Sequence, residues 1–139
     1  MTVHERFRKF ETNQWYRGTQ QLNSQLSMLV KTGDLLHMRG QTGHDLNGDF
    51  HGLGDPAAQT EQAMENVKTL LAEGGARLED ICKIKVWVRD RAHLEPVMRV
   101  LGRHLKGIHV ATSEVVINGL ARPHMDMEID VYAVIERES

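Results

Sequence analysis

Ile81-Cys82-Lys83-Ile84-Lys85-Val86-Trp87-Val88-Arg89-Asp90 decides the fold class. Side chains of an extended chain point alternately to opposite faces. Cys82, Ile84, Val86 and Val88 therefore fall on one face, and Ile81, Lys83, Lys85, Trp87 and Arg89 on the other. The first face must be buried, whereas lysines need water or a polar partner. The segment reads as a half-buried strand, and Cys82, on its apolar side, as an inert buried thiol.

The neighbouring segments supply what covers that face. Asp55-Pro56 opens a helix: Asp can accept from free amides, and Pro at the first position forfeits no helical hydrogen bond. Ala63, Met64, Val67, Leu70 and Leu71 follow at helical spacing, ended by Gly74-Gly75. On the other side Leu94, Val97, Met98, Leu101 and Leu105 form a second stripe, with Pro96 in its first turn and Gly107 beyond its end.

Further out the period returns to two. Met125, Met127, Ile129, Val131, Ala133 and Ile135 make one face of a C-terminal strand, and Asp126, Glu128, Asp130 and Tyr132 the other. Ser27 to Lys31 and Leu35 to Arg39 read as a hairpin turning at Gly33, and Leu46-Asn47-Gly48-Asp49 signals a second tight turn. Residues 1–24 show no convincing period and read as an N-terminal extension whose conformation the sequence does not specify. Residues 25–139 are expected to be one α+β domain, a mixed β-sheet with two helices packed on one face. Its other face pairs Lys83, Lys85 and Trp87 with Asp126, Glu128 and Asp130. That complementarity predicts contact with other subunits rather than bulk water.

Composition narrows the function. The chain has 139 residues, 17 Lys and Arg against 19 Asp and Glu, and a net charge of −2, which offers no basic footprint for nucleic acid. Apolar residues make up 40% and charged residues 26%, as in globular chains. One cysteine precludes an internal disulfide and suits a reducing cytosol. The N-terminus lacks the apolar run of a secretory signal, and no apolar run approaches the ~18 residues that span a bilayer. A cytoplasmic protein without membrane partners is expected.

Candidate chemistry is sparse. Gly52-Leu53-Gly54-Asp55-Pro56-Ala57 superficially matches a dinucleotide loop, but Asp55 sets a carboxylate where the pyrophosphate would sit and Pro56 removes a donor. His44, Asp45, Asp49 and His51 cluster around the Asn-Gly turn without an established ligand spacing, so no metal is expected. Glu128 stands out because it projects from the strand face expected to be covered. There it is either a salt-bridged structural acid or a carboxylate that orients water or exchanges a proton.

Several stretches resemble the Rid (reactive intermediate deaminase) family, also called YjgF or L-PSP endoribonuclease. They are Gly33-Asp34-Leu35-Leu36-His37-Met38-Arg39-Gly40-Gln41, the helix residues Gln59-Thr60, Gln62, Asn66, Leu70-Leu71 and Gly75, the block Leu78-Glu79-Asp80-Ile81 through Val86 with Asp90, and Glu128-Ile129-Asp130-Val131. The resemblance covers about three quarters of the chain. It implies a chorismate-mutase-like fold, a homotrimer with pockets between subunits, and hydrolysis of enamines or imines without metal or organic cofactor. An imine carbon is already electrophilic, so the protein need only position water and stabilise developing charge. Carried over by position, Gly40 would offer backbone contacts, Gln41 would close its strand and Glu128 would hold or activate water.

The departures from the family pattern are specific. Where the archetype has its substrate-gripping arginine, this chain has Ala111 or Thr112; Leu26 and Met98 stand at its pocket tyrosine and helix asparagine. A lost charge-assisted contact is worth roughly 1.5–3 kcal/mol, so small 2-imino acids should be poor substrates. Arg39, Arg122 and His124 are the cations placed to meet an anionic substrate from another direction. The expected function is a small-molecule hydrolase resembling enamine/imine deaminases with a different substrate, in a branch lacking that arginine. A non-catalytic metabolite- or partner-binding trimer is the alternative, and an endoribonuclease is disfavoured by charge.

Overall fold

The computed structural model describes residues 3–19 and 21–137. Its elements in chain order are β1 (His4–Glu11), α1 (Thr12–Trp15), β2 (Gln25–Thr32), β3 (Leu35–Met38), α2 (Pro56–Glu73), β4 (Ile81–Val88), α3 (Leu94–His104), β5 (Ala111–Val116) and β6 (Met127–Val134). They build one six-stranded sheet in the order β1-β2-β3-β6-β4-β5. All neighbours are antiparallel except β4 and β5, so the sheet is mixed.

Local chemistry accounts for the boundaries. Gly33 turns β2 into β3 at φ +61°, a conformation that costs a residue with a Cβ. Asp55 caps α2 by accepting from the Ala58 amide at 3.1 Å, with Pro56 at the first helical position. The apolar stripes of α2 and α3 meet the apolar sheet face. Met64, Leu70, Leu29, Ile84, Val86 and Ile129 are all fully buried between the layers. Each such side chain stabilises the fold by roughly 1.5–3 kcal/mol, which makes this interface its main support.

Two expectations need correction. The register of β4 against β6 shifts between Ile81 and Lys83, so Cys82 is an extra residue in the strand. Ile81 is consequently buried and Cys82 exposed, the reverse of strict alternation. Asp126, read as part of the open acidic face, precedes β6 and is buried at 2% exposure. There it accepts from Gln59 Nε2 and Arg89 Nε, both at 2.8 Å. Within the N-terminal stretch that shows no readable period, the structure forms β1, which pairs with β2 from His4↔Thr32 to Glu11↔Gln25. Most β1 side chains are exposed, so no buried face exists to impress a pattern on the sequence. Arg8 clamps this strand to α2 through three bonds to Glu73, at 2.9, 3.0 and 2.7 Å.

The sheet face away from α2 and α3 is open in the single chain. Leu35, Tyr132 and Val134 are exposed large apolar side chains at 42–48%. Among the described residues, no helix is long and apolar enough to cross a membrane.

Candidate functional site

Beyond β3 the chain stays extended through Arg39, Gly40 and Gln41. Gln41 bridges to Ile129 of β6, its amide donating to the Ile129 carbonyl at 2.8 Å and its carbonyl accepting at 2.9 Å. This bridge lays Gly40 alongside Glu128. A Cβ on residue 40 would lie 2.6 Å from Glu128 Oε2 and 2.9 Å from Asp130 Oδ1, so only glycine leaves the carboxylates their places.

Glu128 is half-buried on the open-face side of β6, opposite Trp87 of β4. Its neighbour Asp130 is held by the Trp87 indole N–H at 2.8 Å, and Lys85 lies 4.3 Å above the Trp87 ring. Burial, and secondarily the nearby Asp130 charge, raise the Glu128 carboxyl above the usual carboxylate range; Arg39 opposes this. A carboxyl moved toward neutrality is better suited to exchange protons.

Glu128 faces a cavity of about 240 Å³ lined by Tyr16, Arg39, Gly40, Thr42, Ala121, Met125 and Glu128 itself. That volume suits a metabolite smaller than drug-sized ligands. Two guanidiniums flank Tyr16: Arg39 Nη2 donates to its hydroxyl at 3.3 Å, and Arg122 lies 4.1 Å over its ring. Arg39 is also braced over Phe10 and Trp15, at 5.1 and 5.9 Å. His124 approaches His44 with Nε2 atoms 3.2 Å apart. Burial lowers the pKa of both rings, His44 to about 4, and Arg122 contributes at each.

The fold thus brings Glu128, Gly40 and Arg39 onto one cavity, with Arg122 stacked on its Tyr16 wall. Gln41 lies behind the wall: its side chain donates to the Arg39 carbonyl at 2.8 Å and accepts from Asn66 at 3.1 Å. Ala111 and Thr112 start the edge strand β5, where Thr112 donates to Glu114 at 2.9 Å, away from the cavity lining. Tyr16 and Thr42 also line the cavity, and the sequence gives no sign of either. Tyr16 follows α1 in the segment without periodicity, and Thr42 lies in a loop. No local pattern marks either.

A larger hollow of about 790 Å³ lies over β1 and β2 and includes Lys9, Phe10, Glu11 and Leu26. Its one acid, Glu11, is exposed and bonded to Asn23 at 2.8 Å, so the smaller cavity is the better chemical site. The acids and imidazoles of the Asn-Gly turn do not converge on a point: Asp45 binds His51 at 2.8 Å, while Asp49 pairs with Arg17. Among the described residues no group of three His, Cys, Asp or Glu is arranged to hold a metal ion. The amide at the start of α2 is taken by Asp55, leaving no phosphate cradle there.

The Endoribonuclease L-PSP family model matches residues 19–135. The chain belongs to the Rid/YjgF/L-PSP family. It is 27% identical to a RutC family protein of Pyrococcus abyssi, over 81% of this chain and 86% of that one. The 3-aminoacrylate deaminase RutC of Acinetobacter baylyi is 28% identical over 72% of this chain and 79% of its own length. The crystal structure of a YjgF/YER057c/UK114 family member from Mycobacterium tuberculosis superimposes with a TM-score of 0.70. That structure is 28% identical, covering 79% of this chain and 86% of its own. The α+β fold read from the sequence is therefore a Rid-family fold, and distant relatives of this chain are imine or enamine deaminases.

Proposed function

We propose that this Rid-family protein hydrolyses an imine or enamine bearing an anionic group, with Glu128 handling the water proton. The observation that carries the reading is the fit of Gly40 against Glu128, which leaves a half-buried carboxylate facing a small cavity beside Arg39. Water attacks the electrophilic carbon, Glu128 accepts a proton from it, and the carbinolamine collapses to a carbonyl compound and ammonia. No metal or organic cofactor enters this route. A positioned base of this kind is worth about 10²- to 10⁴-fold in rate.

The substrate differs from small 2-imino acids on this reading. The position of the archetypal arginine holds Ala111 or Thr112. Arg39 and Arg122 instead bracket Tyr16 at the cavity wall, and they are the groups we assign to the substrate's anionic end. His124 stands behind them, against His44. Self-assembly into a trimer belongs to the same proposal. Its support is the open sheet face, which bears exposed Leu35, Tyr132 and Val134 beside the Lys85–Trp87–Asp130 array.

Enzymatically generated imines varied in size and in charge provide the test, assayed with wild type, E128Q and R39Q. The expected result is turnover of an anionic imine other than 2-aminoacrylate, a large loss of kcat in E128Q and a raised KM in R39Q. Equal turnover by wild type and E128Q refutes the mechanism. Ligand binding with no turnover of any imine favours the non-catalytic alternative. Ribonuclease activity has little support from a chain of net charge −2.

A further inference from the structure

His44 and His124 meet with Nε2 atoms 3.2 Å apart, although 80 residues separate them in sequence. The other nitrogen of His44, Nδ1, lies 3.1 Å from Thr42 Oγ1. Thr42 is buried at 6% exposure and lines the cavity that Glu128 faces, whereas His124 is only half-buried. Cavity wall, hydroxyl, first imidazole and second imidazole therefore form one continuous chain of polar contacts leading outward.

The chain is held firmly. The His44 amide donates to Thr42 Oγ1 at 3.2 Å, and the His44 carbonyl accepts from Asn66 at 2.6 Å. Phe50 packs edge-on against both rings, at 4.9 Å from His44 and 4.5 Å from His124, and Tyr16 packs edge-on against His44. Two facing ring nitrogens are satisfied only if one carries hydrogen and the other does not. Two complete patterns exist. In one, Thr42 O–H donates to His44 Nδ1 and His44 Nε2–H donates to His124. In the other, every donor and acceptor is exchanged. Passing from one to the other moves a proton between cavity and surface without charging either ring for long.

The surroundings favour neutral imidazoles. Arg39 and Arg122 face His44, as does His124, with Asp45 as the opposing acid; Arg122 also faces His124. Two guanidiniums beside this pair also oppose a bound cation.

We propose that Thr42, His44 and His124 form a proton relay that supplies the departing nitrogen of the substrate. This rests on the hydrolase reading above. As the C–O bond forms, Glu128 takes one proton from water and the imine nitrogen receives one from Thr42. Thr42 recovers it from His44 Nδ1, His44 Nε2 from His124 Nε2, and His124 Nδ1 from solvent. As the C–N bond breaks, Glu128 gives the proton it took from water to the nitrogen, completing ammonia. The carbinolamine hydroxyl proton leaves through Thr42, His44 and His124 in the reverse direction, which restores the starting hydrogen-bond pattern. Thr42 is the member that touches substrate; His44 and His124 act through it.

Solvent isotope effects, pH profiles and kcat and KM for wild type, H124Q and T42V test this, with Tm measured alongside. H124Q should lower kcat by about 10- to 100-fold with KM within twofold and an unchanged Tm, and added imidazole should restore much of the loss. Long-range ¹⁵N–¹H spectra of the unliganded protein should show one protonated and one bare Nε2. H124Q turning over as fast as wild type overturns the relay while leaving the hydrolase reading intact. Two rings titrating independently near pH 6.5 also overturn it. Absence of imine turnover in wild type overturns the hydrolase reading, and with it the destination of the relayed proton.

Discussion

Gln59 and Asp126 exchange two hydrogen bonds: the Gln59 side-chain amide donates to the Asp126 carboxylate at 2.8 Å, and its carbonyl oxygen accepts from the Asp126 amide at 2.9 Å. Through this pair α2 grips the residue immediately before β6, two positions from Glu128. The same carboxylate accepts from Arg89 Nε at 2.8 Å, so three segments converge on one buried acid. D126A should cost about 1–3 kcal/mol, because one Gln59 N–H is left buried without its acceptor while the other stays on the Gly52 carbonyl at 2.9 Å. Arg89 can return to water, which keeps the cost below that of a fully buried ion pair. Urea unfolding of D126A and D126N measures it, with D126N retaining part of the loss-free stability.

Gly40 yields the cleanest separation of activity from stability. The atoms that a new Cβ would strike are side-chain carboxylate ends rather than backbone: Glu128, which can rotate away, and Asp130, which is tethered to Trp87 at 2.8 Å. G40A should therefore fold with a Tm within a few degrees of wild type, yet lose at least tenfold in kcat as Glu128 is displaced. A large Tm loss in G40A would show that the glycine serves folding alone.

Glu128 itself sets a pH signature. Its folded pKa is raised by burial and by Asp130, so the native state binds the proton more tightly than the unfolded chain. That contribution is fully present below the unfolded carboxylate pKa and is lost as pH rises through the folded one. E128Q removes the penalty of a buried charge at neutral pH. Its Tm should exceed that of wild type at pH 7, and the difference should shrink at pH 4, as scanning calorimetry can measure.

His44 produces the opposite slope. Burial first, then His124 and Arg39, hold its pKa down to about 4 from 6.5, so the folded protein resists a proton that the unfolded chain accepts. Wild type should lose stability as pH falls from 6.5 toward 4. H44Q should show a shallower decline across that window. Parallel curves for the two proteins would mean that the ring is charged freely in the native state.

Much of the architecture was legible because burial writes a period into the chain. The alternation of Ile84, Val86 and Val88, the stripe of Met64, Val67, Leu70 and Leu71, and the run from Met127 to Ala133 each mark one face against the core. Turn and cap chemistry at Gly33 and Asp55 located the boundaries. Where one residue was inserted, as at Cys82, period alone misassigned two side chains, since nothing local distinguishes a bulge from regular strand. β1 escaped notice for a related reason: an edge strand with most side chains in solvent has no face to repeat.

What the sequence by itself determined is the layered α+β plan, the resemblance to the Rid family, and Glu128 and Gly40 as the residues to watch. Only the tertiary structure decided what surrounds that glutamate. It carried Tyr16 in from the N-terminal segment, set Arg39 and Arg122 about its ring, turned Gln41 inward, and brought His44 and His124 together. Periodicity records which side of an element meets the core, a property of neighbours along the chain. A cavity wall is assembled from residues far apart in sequence, each with its own local setting, and their meeting is fixed by packing alone.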